Sequence, residues 1–472
     1  PLYYEINYQT QFGNPDGDTT LTFGKVEYQE ENNTKYRWEL NPQNPTSTII
    51  YKYNQGDTID GSITNDSTSA NIARDFVNTD SRDTLILNNE NATISNITGN
   101  FIANGLSSSN SKLINNRGHI DNIKGTFAIN RAYDGLIYNN ENATIDKIEG
   151  LFFDNGGYAV NNSGIIKSIL ADFISNSKSS NNYGAVVLNT ETGKIGTIIG
   201  DFIDTRISNS GTIDKIEGTF TTDDVIYYNN NTAAIENRAT GTINNIKGFF
   251  IGTNIDNNGT IDKIEGTFIN RKVSNNYWGG SDYAAIDNSG QIKLILADFI
   301  ANQGGGIFNS GRITDITGTF IDNSVISGGA SYVYVGSSVF GGTIYNGHNG
   351  VINNITGVFS RNKVIAKDNF GIFLQRLGGS TAKGGAIYNG GIINSITDSF
   401  FYNNYAEVEN GDAFGGAIYN TDNLSHTDYQ TTGIIGKIQN TSFIGNYAKS
   451  QSGTAQGGAI WSNRDLNIVA DN

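Results

Sequence analysis

The stretch Ile114-Asn115-Asn116-Arg117-Gly118-His119-Ile120-Asp121-Asn122-Ile123-Lys124-Gly125-Thr126-Phe127-Ala128-Ile129-Asn130 decides the fold. Its skeleton is I-x-N-x-x-G-x-I-x-x-I-x-G-x-F-x-x-N. The skeleton returns as Ile255, Asn257, Gly259, Ile261, Ile264, Gly266, Phe268, Asn270, and again as Ile307, Asn309, Gly311, Ile313, Ile316, Gly318, Phe320, Asn323. Short β-rich runs between Gly or Asn corners read as three strands per unit. The shortest steps between units are 20 residues, from Val187 to Ile207 and from Ile235 to Ile255. That length suits one turn of a three-sided parallel β-helix; a left-handed hexapeptide helix would repeat at about 18 with stricter phasing. The expected fold is therefore all-β, a right-handed single-stranded parallel β-helix, right being the preferred crossover hand. About 14 coils at about 4.8 Å each predict a rod of roughly 65–70 Å.

Working outward, one amide recurs two residues after the Ile or Val: Asn88, Asn116, Asn139, Asn162, Asn189, Asn209, Asn237, Asn257, Asn288, Asn309, Asn346, Asn389 and Asn420. A stack of coils gives such a column a purpose, since each amide can bond those above and below. About four apolar side chains per coil, at roughly 1.5–3 kcal/mol each before entropy, should supply most of the stability. The amides set register, because a one-residue slip strands a buried polar group.

The residue after the third apolar position runs Lys124, Glu149, Leu170, Ile199, Glu217, Lys247, Glu265, Leu296 down the stack. Its alternating signs predict a solvated, self-complementary face. The net charge of −15 disfavours nucleic acid and anionic membrane as partners. The chain has no Cys, so it has neither disulfides nor a thiolate metal site. It has no Met, even at position 1, which predicts a start after a removed signal peptide and an extracellular or bacterial cell-surface location. No apolar run of about 18 residues exists to insert into a membrane as a helix.

Residues 1–80 hold all four prolines and a dense run of Tyr. They read as a β-rich N-terminal cap or interaction segment, with Ile59, Ile63, Ile72 and Phe76 as a degenerate first coil. Residues 81–472 read as the β-helix. Units are short to about residue 302. In 303–472 each opens with a glycine pair and steps lengthen, to 37 from Ile307 to Ile344 and 43 from Ile344 to Ile387. The added residues follow F-x-x-N, so long loops should leave one corner, where solenoids place binding. The fourteenth unit, Ile460-Trp461-Ser462-Asn463, is unfinished and should expose strand edges, which predicts either further chain beyond Asn472 or a capping molecule.

The combination of Gly384-Gly385-Ala386-Ile387, Gly415-Gly416-Ala417-Ile418 and Gly457-Gly458-Ala459-Ile460 with Phe299–Asn302, Phe320–Asn323, Phe359–Asn362, Phe400–Asn403 and Phe443–Asn446 resembles the passenger repeats of polymorphic outer-membrane proteins and related autotransporter adhesins. The full pairing covers the C-terminal third, and F-x-x-N alone occurs earlier, at Phe101–Asn104 and Phe173–Asn176. The resemblance implies a right-handed β-helix exported to a bacterial surface for adhesion or self-association.

Two sets of residues are candidates for function. Asp172 and Asp201 precede the repeat Phe in adjacent units, and Asp298 does so further on. They are open to reading as a glycosidase-like acid pair, as Ca²⁺ ligands, or as plain surface carboxylates. His119, His348 and His426 lie in different units at different phases, and no Ser-His-Asp order, P-loop or zinc spacing is present. The sequence accordingly assigns no catalytic residue, cofactor or metal. The second set is the column between the repeat Ile and Asn. It is mixed in the first nine units and aromatic in the last five: Phe308, Tyr345, Tyr388, Tyr419, Trp461. That stripe reads either as a satellite core under the long loops or as an exposed platform of about 20 Å for a sugar or partner chain.

The reading that follows is a non-enzymatic extracellular surface protein, adhesin-like or self-associating. Its expected partner is a host or neighbouring-cell surface protein or glycan, or another copy of itself. The alternatives are a filament subunit stacking end to end, and a polysaccharide-active β-helix enzyme.

Overall fold

A computed structural model describes strands Phe23–Glu30 and Asn33–Leu40 as backbone, and then residues 62–68, 70–77, 84–102, 104–105, 110–128, 130–174, 176, 185–222, 233–271, 284–327, 338–367, 380–421 and 433–469. Two compact units divide at Thr205 and Arg206. Every regular element among the described residues is a strand, so no helix there is long and apolar enough to cross a membrane.

Both units are parallel β-helices. Each coil has a short strand carrying I-x-N and a bent strand of ten residues carrying I-x-x-I-x-G-x-F in most coils. In the first unit the short strands stack from Ile63–Asn65 to Ala185–Asn189, and in the second from Arg206–Asn209 to Ile460–Ser462. Register keeps like over like: Ile137 lies on Ile114, Asn139 on Asn116, and Phe152 on Phe127. The first unit's stack begins at Ile63, within the span expected as cap, because Asn65, Ile72 and Phe76 enter the same columns as later coils. Ile59 lies outside the described residues, as do most of 1–61. The two N-terminal strands pair antiparallel, from Phe23 with Leu40 to Glu30 with Asn33.

Three columns hold each stack. Phenylalanines form the first: Phe76, Phe101, Phe127, Phe152, Phe173 and Phe202 in one unit, with ring centroids 4.6–5.1 Å apart. The second unit continues the pattern at 4.4–5.1 Å, from Phe220 to Phe443. Ring spacing matches the coil rise, so the faces stack and exclude water. The second column is the predicted amides. Each Nδ2 donates to the Oδ1 of the next coil at 2.8 Å from Asn65 to Asn189, and at 2.7–2.8 Å from Asn209 to Asn420. Ser462 accepts the last of these bonds at 3.0 Å.

The third column is a second amide ladder at the F-x-x-N corner. It runs Asn104, Asn130, Asn155, Asn176 in one unit and Asn302, Asn323, Asn362, Asn404, Asn446 in the other, at 2.8–3.0 Å. Each Nδ2 also donates to the carbonyl of a Phe one coil back or more, as Asn130 does to Phe101. At two corners the register differs from the sequence reading. Arg271, not Asn270, takes the ladder position, its N–H donating to Asn302 Oδ1 at 3.2 Å. Likewise Phe401 and Asn404, not Phe400 and Asn403, are in register with Phe359 and Asn362. An extra residue causes the second shift: Asp398 adopts φ 49° and splits the long strand into Ile392–Thr397 and Phe400–Tyr402.

The glycine that precedes most of the long strands has a steric reason. A Cβ on Gly118 would overlap the carbonyl oxygens of Ala92 and Asn89 in the preceding coil.

Candidate functional site

The residues added after F-x-x-N are in part strands rather than loops. Ser324–Ser327, Lys363–Ala366, Tyr405–Val408 and Tyr447–Ser450 form one parallel sheet. Ser338–Phe340, Ser380–Lys383, Gly411–Phe414 and Ala455–Gln456 form another. Alternation turns Val325, Val364 and Ala406 of the first toward Val339, Ala382 and Ala413 of the second, and these are buried in a small core of their own. The insertions therefore extend the coil outward in register.

The second sheet delivers one side chain per coil to the aromatic stripe. Phe308, Tyr345, Tyr388, Tyr419 and Trp461 stack in sequence with centroids 4.5–5.5 Å apart. Phe340 tilts against Tyr345 and Tyr388, and Phe414 against Tyr419 and Trp461. Between them Lys383 lays its ammonium 5.5 Å from the Phe340 centroid and 5.2 Å from that of Tyr419. Gln456 accepts from Trp461 Nε1 at 3.0 Å. Tyr388 and Tyr419 are buried, whereas Phe308, Tyr345 and Trp461 are half-buried. Ring faces are thus taken up by neighbouring rings. Burial, with Tyr345 and Tyr419 adding, pushes the Tyr388 phenol well above its usual range. Burial likewise lowers the Lys383 ammonium, opposed by Asp412.

These flanking residues were missed in the sequence. Their signal was present: Phe340, Lys383, Phe414 and Gln456 each immediately precede a glycine pair. The first glycine of each of these pairs has φ between 58° and 71°, and a Cβ on the second glycine of three of them, Gly342, Gly385 and Gly416, would overlap backbone of the adjacent coil. The pair is the corner that aims the preceding side chain at the stripe.

In earlier coils of the second unit the same outward column carries acids. Glu236 lies opposite Asp256, and Asp256 opposite Asp287. Arg206 Nη1 lies 3.8 Å from Glu236 and Arg238 Nη2 3.4 Å from it. Burial and the neighbouring Glu236 raise the Asp256 carboxyl, partly offset by Arg206 and by the Asn258 hydrogen bond. Two arginines on Glu236 partly offset the charge of this polar seam.

Asp172 engages the backbone of the next coil. Its Oδ1 accepts the backbone N–H of Asp201 at 2.7 Å. Asp298 does the same for Thr319 and Asp75 for Asn100, so this position repairs a backbone bond at a corner of the ladder. On the long-sheet face, lysines pair within their own strand, Lys147 with Glu149, Lys215 with Glu217 at 2.5 Å and Lys263 with Glu265 at 2.7 Å, and across coils, Lys167 with Asp146 at 2.7 Å and Lys293 with Asp262 at 2.6 Å. A further cross-coil contact, of Lys247 with Glu217, is longer, at 3.8 Å. His119 and His348 stand in separate units, and His426 lies outside the described residues.

A patch of exposed tyrosine borders the first added sheet. Tyr405 and Tyr447 stack at 4.9 Å, Tyr402 and Tyr447 are 39% and 40% exposed, and Ile444 beside them is 52% exposed. Arg361 grips Asp322 through two bonds of 2.8 and 2.7 Å at the same corner. Comparison with family models, curated proteins and solved structures finds no match to this chain.

Proposed function

We propose that this chain is a non-enzymatic extracellular surface protein, adhesin-like, that binds through the outward columns of its inserted coils. The observation that carries this reading is the ordering of the insertions into sheets in register, which lines up Tyr405 over Tyr447 beside exposed Tyr402 and Ile444. A contiguous aromatic and aliphatic surface with a polar rim is the composition of a binding patch. The resemblance of the GGA and F-x-x-N repeats to autotransporter passengers supports the same reading. Its partner is a surface protein or glycan of another cell, or a second copy of this chain.

Beads carrying the purified chain test it on cultured cells. Wild-type beads are expected to adhere, and Tyr402→Ser with Tyr447→Ser to lose adhesion without change in circular dichroism. Protease-treated and glycosidase-treated cells separate protein from glycan partners, and bead-to-bead clumping reports self-association. A polysaccharide panel is expected to stay uncleaved. Cleavage that disappears in Asp256→Asn would replace this reading with an enzymatic one.

A further inference from the structure

In an Asn-Gly pair the glycine N–H has no side chain to hinder its attack on the preceding amide. The chain contains seven such pairs. Four of their asparagines, Asn104, Asn155, Asn346 and Asn389, hold their amides in the buried ladders. Asn258, Asn349 and Asn410 lie outside them.

The Asn258 amide is held at both atoms while its side chain stays exposed to water. Ser289 Oγ, from the next coil, donates to Asn258 Oδ1. Asn258 Nδ2 donates to Asp256 Oδ1 at 3.1 Å. The Gly259 N–H makes no hydrogen bond among the described residues, whereas those of Gly241, Gly290 and Gly311, at the same corner of other coils, donate to the carbonyls of Arg238, Asn257 and Asn288. The two other exposed pairs lack this set. Asn349 has no side-chain partner among the described residues, and the Gly350 N–H is tied to the Gly347 carbonyl at 2.8 Å. Asn410 Oδ1 accepts from Ser452 Oγ at 2.7 Å, but Gly411 opens a strand paired to Ser380.

We propose that Asn258 is a self-processing site, where the Gly259 nitrogen displaces the side-chain amide as ammonia. The Gly259 N–Cγ bond forms as that nitrogen gives its proton to water. The Cγ–Nδ2 bond breaks as Nδ2 takes up a proton and leaves. The Ser289 hydroxyl holds the charge that develops on Oδ1. Asp256, whose carboxyl is raised by burial and by Glu236, passes the proton to Nδ2 as general acid. Water then opens the succinimide ring. Opening at Cγ gives aspartate, and opening at the backbone carbonyl gives isoaspartate, whose chain is one methylene longer. Either product sets a new carboxylate beside Asp256. Isoaspartate also lengthens the corner between Asn257 and strand Thr260–Ile269, which loosens this coil against its neighbours.

The test incubates the full chain in neutral buffer and maps amide loss, succinimide and isoaspartate by peptide mass spectrometry. In the folded chain Asn258 is expected to convert ahead of Asn349, Asn410 and the ladder amides. Ser289→Ala and Asp256→Asn, checked for folding by circular dichroism, should each slow it at least about tenfold. Asn349 in the same digests should keep its rate. In urea, where the constellation is lost, Asn258 should slow and the ladder amides should speed up. The last comparison needs no variant. Faster conversion of Asn258 in urea than in the folded chain, earlier conversion at Asn349 in the folded chain, or unchanged rates in both folded variants overturns the proposal.

Discussion

Asn116 Nδ2 donates to Asn139 Oδ1 at 2.8 Å, and the two side chains are completely buried. The same Nδ2 lies within bonding distance of the Gly118 and Thr144 carbonyls, and its Oδ1 accepts from Asn88 Nδ2 and Gly118 N. One amide therefore serves its own coil and both neighbours. An amide alone can do this, because it donates and accepts from adjacent atoms.

Asn116→Ala is expected to cost about 2–5 kcal/mol, since it leaves several buried groups unpaired. Asn116→Asp should cost more at neutral pH, because a carboxylate sets oxygen against Asn139 Oδ1. Protonation restores one donor, so the gap between Asp and Asn forms should narrow as pH falls. Chemical denaturation across pH 4–8 measures it. A gap that widens in acid would contradict the ladder.

The phenylalanine column predicts a separate loss. Phe127 is fully buried between Phe101 and Phe152, at 4.6 Å from each. Phe127→Ala should destabilise by about 3–5 kcal/mol. Phe127→Leu should cost less, keeping most of the volume while losing the stack. Thermal melting of both variants checks the order.

Glycine corners separate conformational from incidental glycines. A Cβ on Gly385 would overlap the Gly416 carbonyl and the backbone of Tyr405, while one on Gly105 would meet nothing within 4 Å. Gly385→Ala should lower stability by more than about 1 kcal/mol and Gly105→Ala should stay within about 0.5 kcal/mol. Equal effects would place the corner elsewhere.

Alkaline pH should loosen the inserted coils. The Tyr388 and Tyr419 phenols are raised above 10.0 chiefly by burial, so above that pH the unfolded chain loses protons that the folded chain keeps. Stability is then lost as pH rises from about 10 through the folded values. Lys383 works in the opposite sense: its lowered value means the unfolded chain holds the extra proton below 10.5, and stability rises with pH there. Tyr388→Phe should reduce the alkaline loss, and Lys383→Met should deepen it. Denaturant melts between pH 8 and 11.5 provide the comparison.

The stack itself was legible because its signals are local and periodic: Ile and Asn at fixed phase place the first ladder coil by coil. Errors fell where two residues compete for one position. Ser399-Phe400-Phe401-Tyr402-Asn403-Asn404 contains F-x-x-N twice, and only pairing with Phe359 decides between them. The strands in the insertions escaped notice because Val325 and Ala382 sit in short strands whose partners, Val364 and Ala413, lie 39 and 31 residues away in the next coil. The stripe was visible in sequence; its flanking Phe340, Lys383 and Phe414 depended on that missed sheet.

The most direct measurement of the central relationship, that the insertions stack in register and so build a continuous outer surface, uses the absence of native cysteine. Glu407 and Lys449 are register partners, joined at 2.7 Å. Glu407→Cys with Lys449→Cys should close a disulfide in mild oxidant and leave the melting temperature unchanged or raised. Tyr405→Cys with Lys449→Cys, two residues out of register on the same face, should remain open. Closure of the second pair in preference to the first would contradict the account.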